Sequence, residues 1–132
     1  MPILQLIYAS HPFGFNEVTL ASILTTAQRC NTRDGITGAL ICRADLYLQL
    51  LEGPQNPVDA AYARITRDQR HTDVRLLSRR AAAERLFPDW AMRHDPARSW
   101  MWTQAEVSAG AIERATGDEA VAIFERLARE PA

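Results

Sequence analysis

Gln49 stands in the run Leu46-Tyr47-Leu48-Gln49-Leu50-Leu51, whose other five residues suit a sheet interior. An amide carries two donor hydrogens and an acceptor oxygen, and a polar group buried without partners costs about 1–3 kcal/mol. Gln49 therefore either faces solvent or is held by something that uses an amide. Other positions bear on that choice. Tyr8-Ala9-Ser10 sets a phenol and a hydroxyl on one face at the end of an apolar run. Asn31 puts a second amide at the end of the helical stripe Leu20, Leu24, Ala27. Trp90 and Met92 share the spacing of one strand face. If their strands are neighbours, Tyr8, Gln49 and Met92 converge under the helix that ends at Asn31. They would then form a small buried polar cluster around a ligand that hydrogen-bonds. Taken singly, each has a plainer role: a strand tyrosine packs with its hydroxyl at the rim, a strand glutamine faces water, and a methionine or tryptophan near a strand end belongs to the core.

The elements that must position these residues are readable from periodicity. Residues 3–10 alternate as a strand, and His11 to Phe15, with Pro12 and Gly14, reads as a loop. Asn16 suits the N-cap of a helix running to about Asn31. Asp34-Gly35 marks a turn, and runs 36–42 and 46–53, joined by Arg43-Ala44-Asp45, read as an antiparallel hairpin. Asn56 as N-cap and Pro57 at the first helical position start a second helix, with Val58, Ala61, Tyr62 and Ile65 on its apolar face and Asp68 to His71 at its end. Residues 73–80 read as a strand, Ala81 to Arg85 as helix-like, and 90–94 as a short last strand. The order predicts an α+β, ferredoxin-like β-α-β-β-α-β domain with an extra fifth strand, a mixed sheet and two helices on one face. The domain spans 1–95, and a helical extension follows over 96–132. In that extension Thr103 and Glu106 fit a capping box, and a helix from Gly117 carries Val121, Phe124, Leu127 and Ala128.

The 132 residues suit one domain with a single core. The net charge is -1, so nucleic-acid binding lacks its basic footprint; lysine is absent and every cation is arginine. No apolar run approaches the roughly 20 residues of a membrane span, and no secretory signal opens the chain. Cys30 and Cys42 form no CxxC, and His11, His71 and His94 lie far apart without ligand spacing. The expectation is a cytoplasmic protein with reduced thiols and no metal.

These pieces together resemble the BLUF family, the blue-light sensors that use FAD. The resemblance rests on Tyr8-Ala9-Ser10, Arg29-Cys30-Asn31, Gly35-Ile36-Thr37-Gly38-Ala39-Leu40, Gln49-Leu50-Leu51-Glu52-Gly53-Pro54, Asp68-Gln69-Arg70-His71 and Trp90-Ala91-Met92, and covers about residues 3–95. It implies non-covalent FAD. It implies that Tyr8 gives an electron and a proton to the excited flavin, and that Gln49 sits between phenol and ring. Asn31 would bond the ring edge, and Ile23, Leu24 and Ile65 would wall it. Asp68, Arg70 and His71 would form the polar end, with Arg70 toward phosphate. Ser10 would support the site from behind, and Trp90 and Met92 would be the last-strand pair that switches. The family often has two asparagines where this chain has Asn31-Thr32; Thr32 keeps a hydroxyl and loses an amide.

The implied protein is a short, stand-alone sensor rather than an enzyme. It signals to an unidentified downstream protein partner or through a homo-oligomer built partly from the tail. A ferredoxin-like sheet leaves a bare face and edges for such contacts, and Trp100 and Trp102 suit either cover of that face or a partner surface. Two other readings are an interaction domain that has lost its flavin and an acylphosphatase-like hydrolase. The loop at His11 to Phe15 carries neither the glycine-rich cradle nor the arginine that the hydrolase needs.

Overall fold

The computed structural model describes residues 3–12 and 16–130; the Phe13 to Phe15 part of the expected loop lies outside them. Strand β1 (Ile3–Pro12) leads to helix α1 (Glu17–Asp34), then β2 (Thr37–Arg43), β3 (Leu46–Gly53), α2 (Gln55–Thr66), β4 (His71–Ala82) and β5 (Arg93–Pro96). Three helices follow: α3 (Gln104–Ser108), α4 (Ala111–Arg114) and α5 (Gly117–Ala128). The sheet order is β4-β1-β3-β2-β5, antiparallel throughout except for the parallel β2–β5 pair. This is the expected mixed α+β architecture.

Local chemistry sets the ends of α1. The Asn16 side chain accepts from the Thr19 amide at 2.7 Å, the N-cap bond that a short polar residue supplies. Gly35 closes the helix at φ 71°, a left-handed position, and its N–H bonds the Asn31 carbonyl. Gly38 is required for a different reason: a Cβ there would lie 1.9 Å from the Leu50 carbonyl oxygen. Its missing side chain lets β2 lie against β3.

Strand β3 is buried along all eight residues, because both faces of the sheet are covered. On one face, α1 and α2 pack Leu20, Val58 and Ala61 onto Leu4, Leu6, Tyr8, Leu40 and Leu51. On the other, the C-terminal helices pack Val107, Ile112, Val121, Phe124 and Leu127 onto Ile7, Ala9, Ala39, Ile41, Leu48 and Leu50. Trp100 and Trp102 pack against that second cluster. The face that a ferredoxin-like sheet leaves bare is therefore a second core, the first of the two roles considered for Trp100 and Trp102, and the edges remain for association. No helix among the described residues is long and apolar enough to cross a membrane.

Several boundaries differ from the sequence reading. Helix α2 begins at Gln55 rather than after Asn56, with Pro54 at the cap and no side-chain capping bond; Pro57 still falls in the first turn, where no N–H is needed. The helix ends at Thr66, and His71 already belongs to β4. Ala81 and Ala82 continue β4, paired with Leu4 and Ile3. A helix of so few residues cannot repay its nucleation, whereas an extended chain here gains ladder bonds.

The last strand starts at Arg93, so Trp90 and Met92 precede it and do not share a face: Trp90 is 44% exposed and Met92 2%. The Gly38 amide takes the Trp90 carbonyl at 3.0 Å, and Asn31 Nδ2 takes the Ala91 carbonyl at 2.8 Å. These bonds draw residues 90–92 off the ladder, which begins at Ala39↔Arg93. Beyond it, the buried Arg93 and Asp95 pair at 2.8 Å, and Arg93 Nη1 donates to the Glu130 carbonyl at 3.0 Å, joining β5 to the end of α5.

Candidate functional site

The register brings the candidate residues together. Gln49 lies on the central strand, opposite Tyr8 on one side and Leu40 on the other. Their side chains floor a cleft of about 830 Å³, counting its open mouth, between the sheet and helices α1 and α2. Ile23, Ala27 and Ile65 supply apolar walls, Asn31 the inner edge, and Asp68, Arg70 and His71 the polar end.

Tyr8 and Gln49 are both buried. The Tyr8 hydroxyl donates to Gln49 Oε1, and Gln49 Nε2 donates to Met92 Sδ at 3.3 Å. A phenol, an amide and a thioether thus form one line across the sheet. A thioether is a weak acceptor, so the amide donor is held without being strongly spent. Asn31 Nδ2 bonds the Ala91 carbonyl, and Gln28 Nε2 reaches the Met92 carbonyl at 3.4 Å. Helix α1 therefore grips the backbone beside Met92.

His71 joins the polar end to the floor. Its Nε2 lies 2.8 Å from the Ile65 carbonyl and its Nδ1 2.6 Å from Ser10 Oγ. A carbonyl can only accept, so the Nε2–H tautomer satisfies both nitrogens. The ring stands edge-on to Tyr8, centroids 6.1 Å apart. Arg70 Nε donates to Asp68 Oδ1 at 2.9 Å and its Nη1 to Ser22 Oγ at 3.0 Å; this guanidinium holds the Asp68 carboxyl below its ordinary range.

Eight residues named from the sequence line this one cleft: Tyr8, Ile23, Asn31, Gln49, Ile65, Asp68, Arg70 and His71. Leu24 packs into the core beneath without lining it. Ser10 stands behind His71, Met92 touches Gln49, and Trp90 lies outside at the surface. The lining also includes Thr26, Cys30 and Tyr47, not singled out from the sequence. Their signal was present: Thr26 and Cys30 fall on the helical repeat of Ile23, and Tyr47 shares the strand face of Gln49.

Burial raises the Tyr8 phenol far above its ordinary value, and the Asp68 charge adds to this. Burial raises Tyr47 and Tyr62 as well. The chain has three tyrosines, so none should ionise near the ordinary value of about 10. Because the folded values are raised, this part of the stability is complete below pH about 10 and is lost as pH rises through the folded values. Alkaline titration followed by tyrosinate absorbance should show every ionisation displaced upward, with Tyr8 ionising last or only on unfolding. A tyrosine ionising at its ordinary value in the folded protein would contradict this environment.

The lining fits the flavin that the sequence resemblance implies: apolar walls for a ring, and beside them a buried amide whose hydrogen rests on a weakly accepting sulfur. Comparison with known proteins bears on the same point. The family described as "BLUF: Sensors of blue-light using FAD" matches residues 3–93. Photoactivated adenylate cyclase subunit beta of Euglena gracilis is 38% identical over 78 residues, which cover 58% of this chain and 9% of that protein; the chain thus spans a small part of that relative. The structure described as "BlsA photo-activated state" superposes with a TM-score of 0.82 at 25% identity, covering 98% of this chain and 96% of the other. "BlrB - a BLUF protein, dark state structure" gives a TM-score of 0.77 at 26% identity, with 96% of each chain covered. With the family matched across most of its length and the same fold around the Tyr8–Gln49 pair, this chain belongs to the BLUF family of flavin-binding blue-light sensors.

Proposed function

We propose that the cleft holds FAD without a covalent bond and converts blue light into a changed seating of residues 90–92, which a protein partner reads. The observation that carries this reading is the buried line from Tyr8 through Gln49 to Met92. Ile23 and Ile65 would hold the ring between the helices, Asn31 and Gln49 would bond its polar edge, and Arg70 would take phosphate.

The bound ring supplies the absorption of blue light and, when excited, an electron acceptor. The chain supplies the rest. Tyr8 is the oxidisable group, and its proton leaves along the hydrogen bond already made to Gln49 Oε1. With Tyr8 restored to its neutral phenol no net oxidation would remain, and what would persist is the arrangement of the Gln49 amide. Turning the Gln49 amide, or shifting its proton to the other tautomer, exchanges donor and acceptor ends without changing its volume. Turning would take the donor end off Met92 Sδ and the acceptor oxygen off the Tyr8 hydroxyl, whereas the tautomer would leave both atoms in place and put a proton on the oxygen. One rearranged hydrogen bond contributes about 0.5–1.5 kcal/mol, whereas a nearly complete switch needs about 5.5 kcal/mol. Release of Met92, and of the backbone that Asn31 and Gln28 hold, is the further contribution.

The sensor domain is assigned to residues 1–95 and the extension to 96–132. Self-association through the exposed β4 edge or Trp90, and a partner reading the region of β5, give the signal its exit. Two free cysteines suit a reducing, cytoplasmic setting. The test is the absorption spectrum of the FAD-loaded protein before and after blue light. A small red shift that reverses in darkness is expected. A flavin-loaded protein with an unchanging spectrum would overturn the reading.

A further inference from the structure

We propose that Glu52 is a positioning residue for the light response: from the same strand as Gln49, but on the opposite face, it fixes the turn that delivers Met92 to Gln49. This inference rests on the reading under Proposed function and adds to it a residue for which the photochemistry itself has no use.

Glu52 is 0% exposed and faces the C-terminal helices, three residues along β3 from Gln49. Its carboxyl accepts three hydrogen bonds. Oε1 takes the Phe87 amide at 2.6 Å, and Oε2 takes the Leu86 amide at 2.9 Å and Gln5 Nε2 at 3.0 Å. Gln5 in turn accepts from Arg80 Nε at 3.2 Å, so β1 and β4 share the anchor. Arg85 reinforces the same turn, donating to the Glu52 and Gly35 carbonyls at 3.1 and 2.8 Å. Phe87 is buried against Phe124. Pro88, Asp89 and Trp90 then run exposed before Met92 is buried again beside Gln49. The segment is thus held at three places, by Glu52 at residues 86–87, by the Gly38 amide at the Trp90 carbonyl and by helix α1 at residues 91–92. Of these, Glu52 is the hold that ties Met92 to the strand that carries the switch. A glutamine at position 52 would present an NH2 where two backbone N–H groups and the Gln5 amide now find oxygens, so at least one bond must fail.

The test is a double-mutant cycle on the FAD-loaded full chain, reading the rate at which the red-shifted spectrum returns in darkness. E52Q should change that rate by about tenfold, the equivalent of one hydrogen bond. If Glu52 acts through Met92, M92A in the E52Q background should add less than about threefold, and the two effects will not multiply. A purely structural role for Glu52 would give multiplying effects, and that result overturns the proposal. Should E52Q fail to fold, hydrogen exchange on the unmodified protein decides: the Leu86 and Phe87 amides, bonded to Glu52, should be protected far more than that of Asp89. Equal exchange at 86, 87 and 89 would overturn it. A wild-type protein without any red shift would sink the photoreceptor reading and this inference together, whereas a normal wild-type shift with multiplying variants sinks this inference alone.

Discussion

Gln49→Leu is expected to give a protein that still binds flavin and no longer shifts its absorption in blue light. Leucine fills similar space but offers neither donor nor acceptor. The Tyr8 hydroxyl, which now donates to Gln49 Oε1, would remain buried without its acceptor. That costs about 1–3 kcal/mol of stability. The apolar walls at Ile23, Ala27 and Ile65 are untouched, so flavin affinity should fall by no more than about tenfold, the worth of one hydrogen bond. Tyr8→Phe should leave the cleft equally well formed and also abolish the shift, because the oxidisable phenol is gone. The two variants fail for different reasons, and excited-state decay separates them: Gln49→Leu retains the Tyr8 ring as a quencher, and Tyr8→Phe does not. A reversible red shift of normal size in either variant would contradict the assigned roles.

The second large effect concerns the far side of the sheet. Phe124 on α5 is 0% exposed and meets Phe87 edge-on, ring centroids 6.4 Å apart. Phe124→Ala should destabilise the protein by about 3–5 kcal/mol, the usual cost of deleting a buried aromatic ring. Domains of this size are stable by about 5–15 kcal/mol, so the loss is a large fraction of the whole. It should lower the denaturant midpoint with little change in slope. A cost under about 1 kcal/mol would mean that α5 merely rests on the sheet. The expected result would instead make the extension part of the core that holds Phe87, and through Phe87 the approach to Met92.

Much of the site was legible because it depends on strand parity and helical period. Tyr8 and Gln49 face each other because each lies at a strand position whose neighbours two away are also buried on the helix side, and Asn31 falls where the apolar stripe of α1 ends. The N-cap of α1 was legible at Asn16 for the same local reason, whereas Gly35 reads as a turn and the helix runs on to Asp34, past the expected end at Asn31. Trp90 and Met92 misled because parity holds only inside a ladder. The amides of Gly38 and Asn31 take their backbone carbonyls before the ladder starts, and no spacing rule carries that information. Ala81 to Arg85 looked helical by composition, yet the open edge of β1 offered bonds that a single turn of helix could not match. The continuous apolar run of β3 was itself a sign of burial on both faces. Its partner, the apolar stripe of Val121, Phe124 and Leu127, lies where cover of the open sheet face by the C-terminal helices would put it. Glu52 stood in plain view beside Gln49, but its contacts to residues 86 and 87 are tertiary, and the sequence does not show which turn a buried carboxyl will hold.

The central claim is that the Gln49 amide exchanges partners on illumination. The most direct measurement is a light-minus-dark infrared difference spectrum of the flavin-loaded protein, with and without isotope-labelled glutamine. The account predicts a flavin carbonyl band moving to lower frequency as it gains a hydrogen bond, together with glutamine amide bands that shift with the label and vanish in Gln49→Leu. A red shift in visible absorption with an unmoved flavin carbonyl and silent glutamine bands would contradict it.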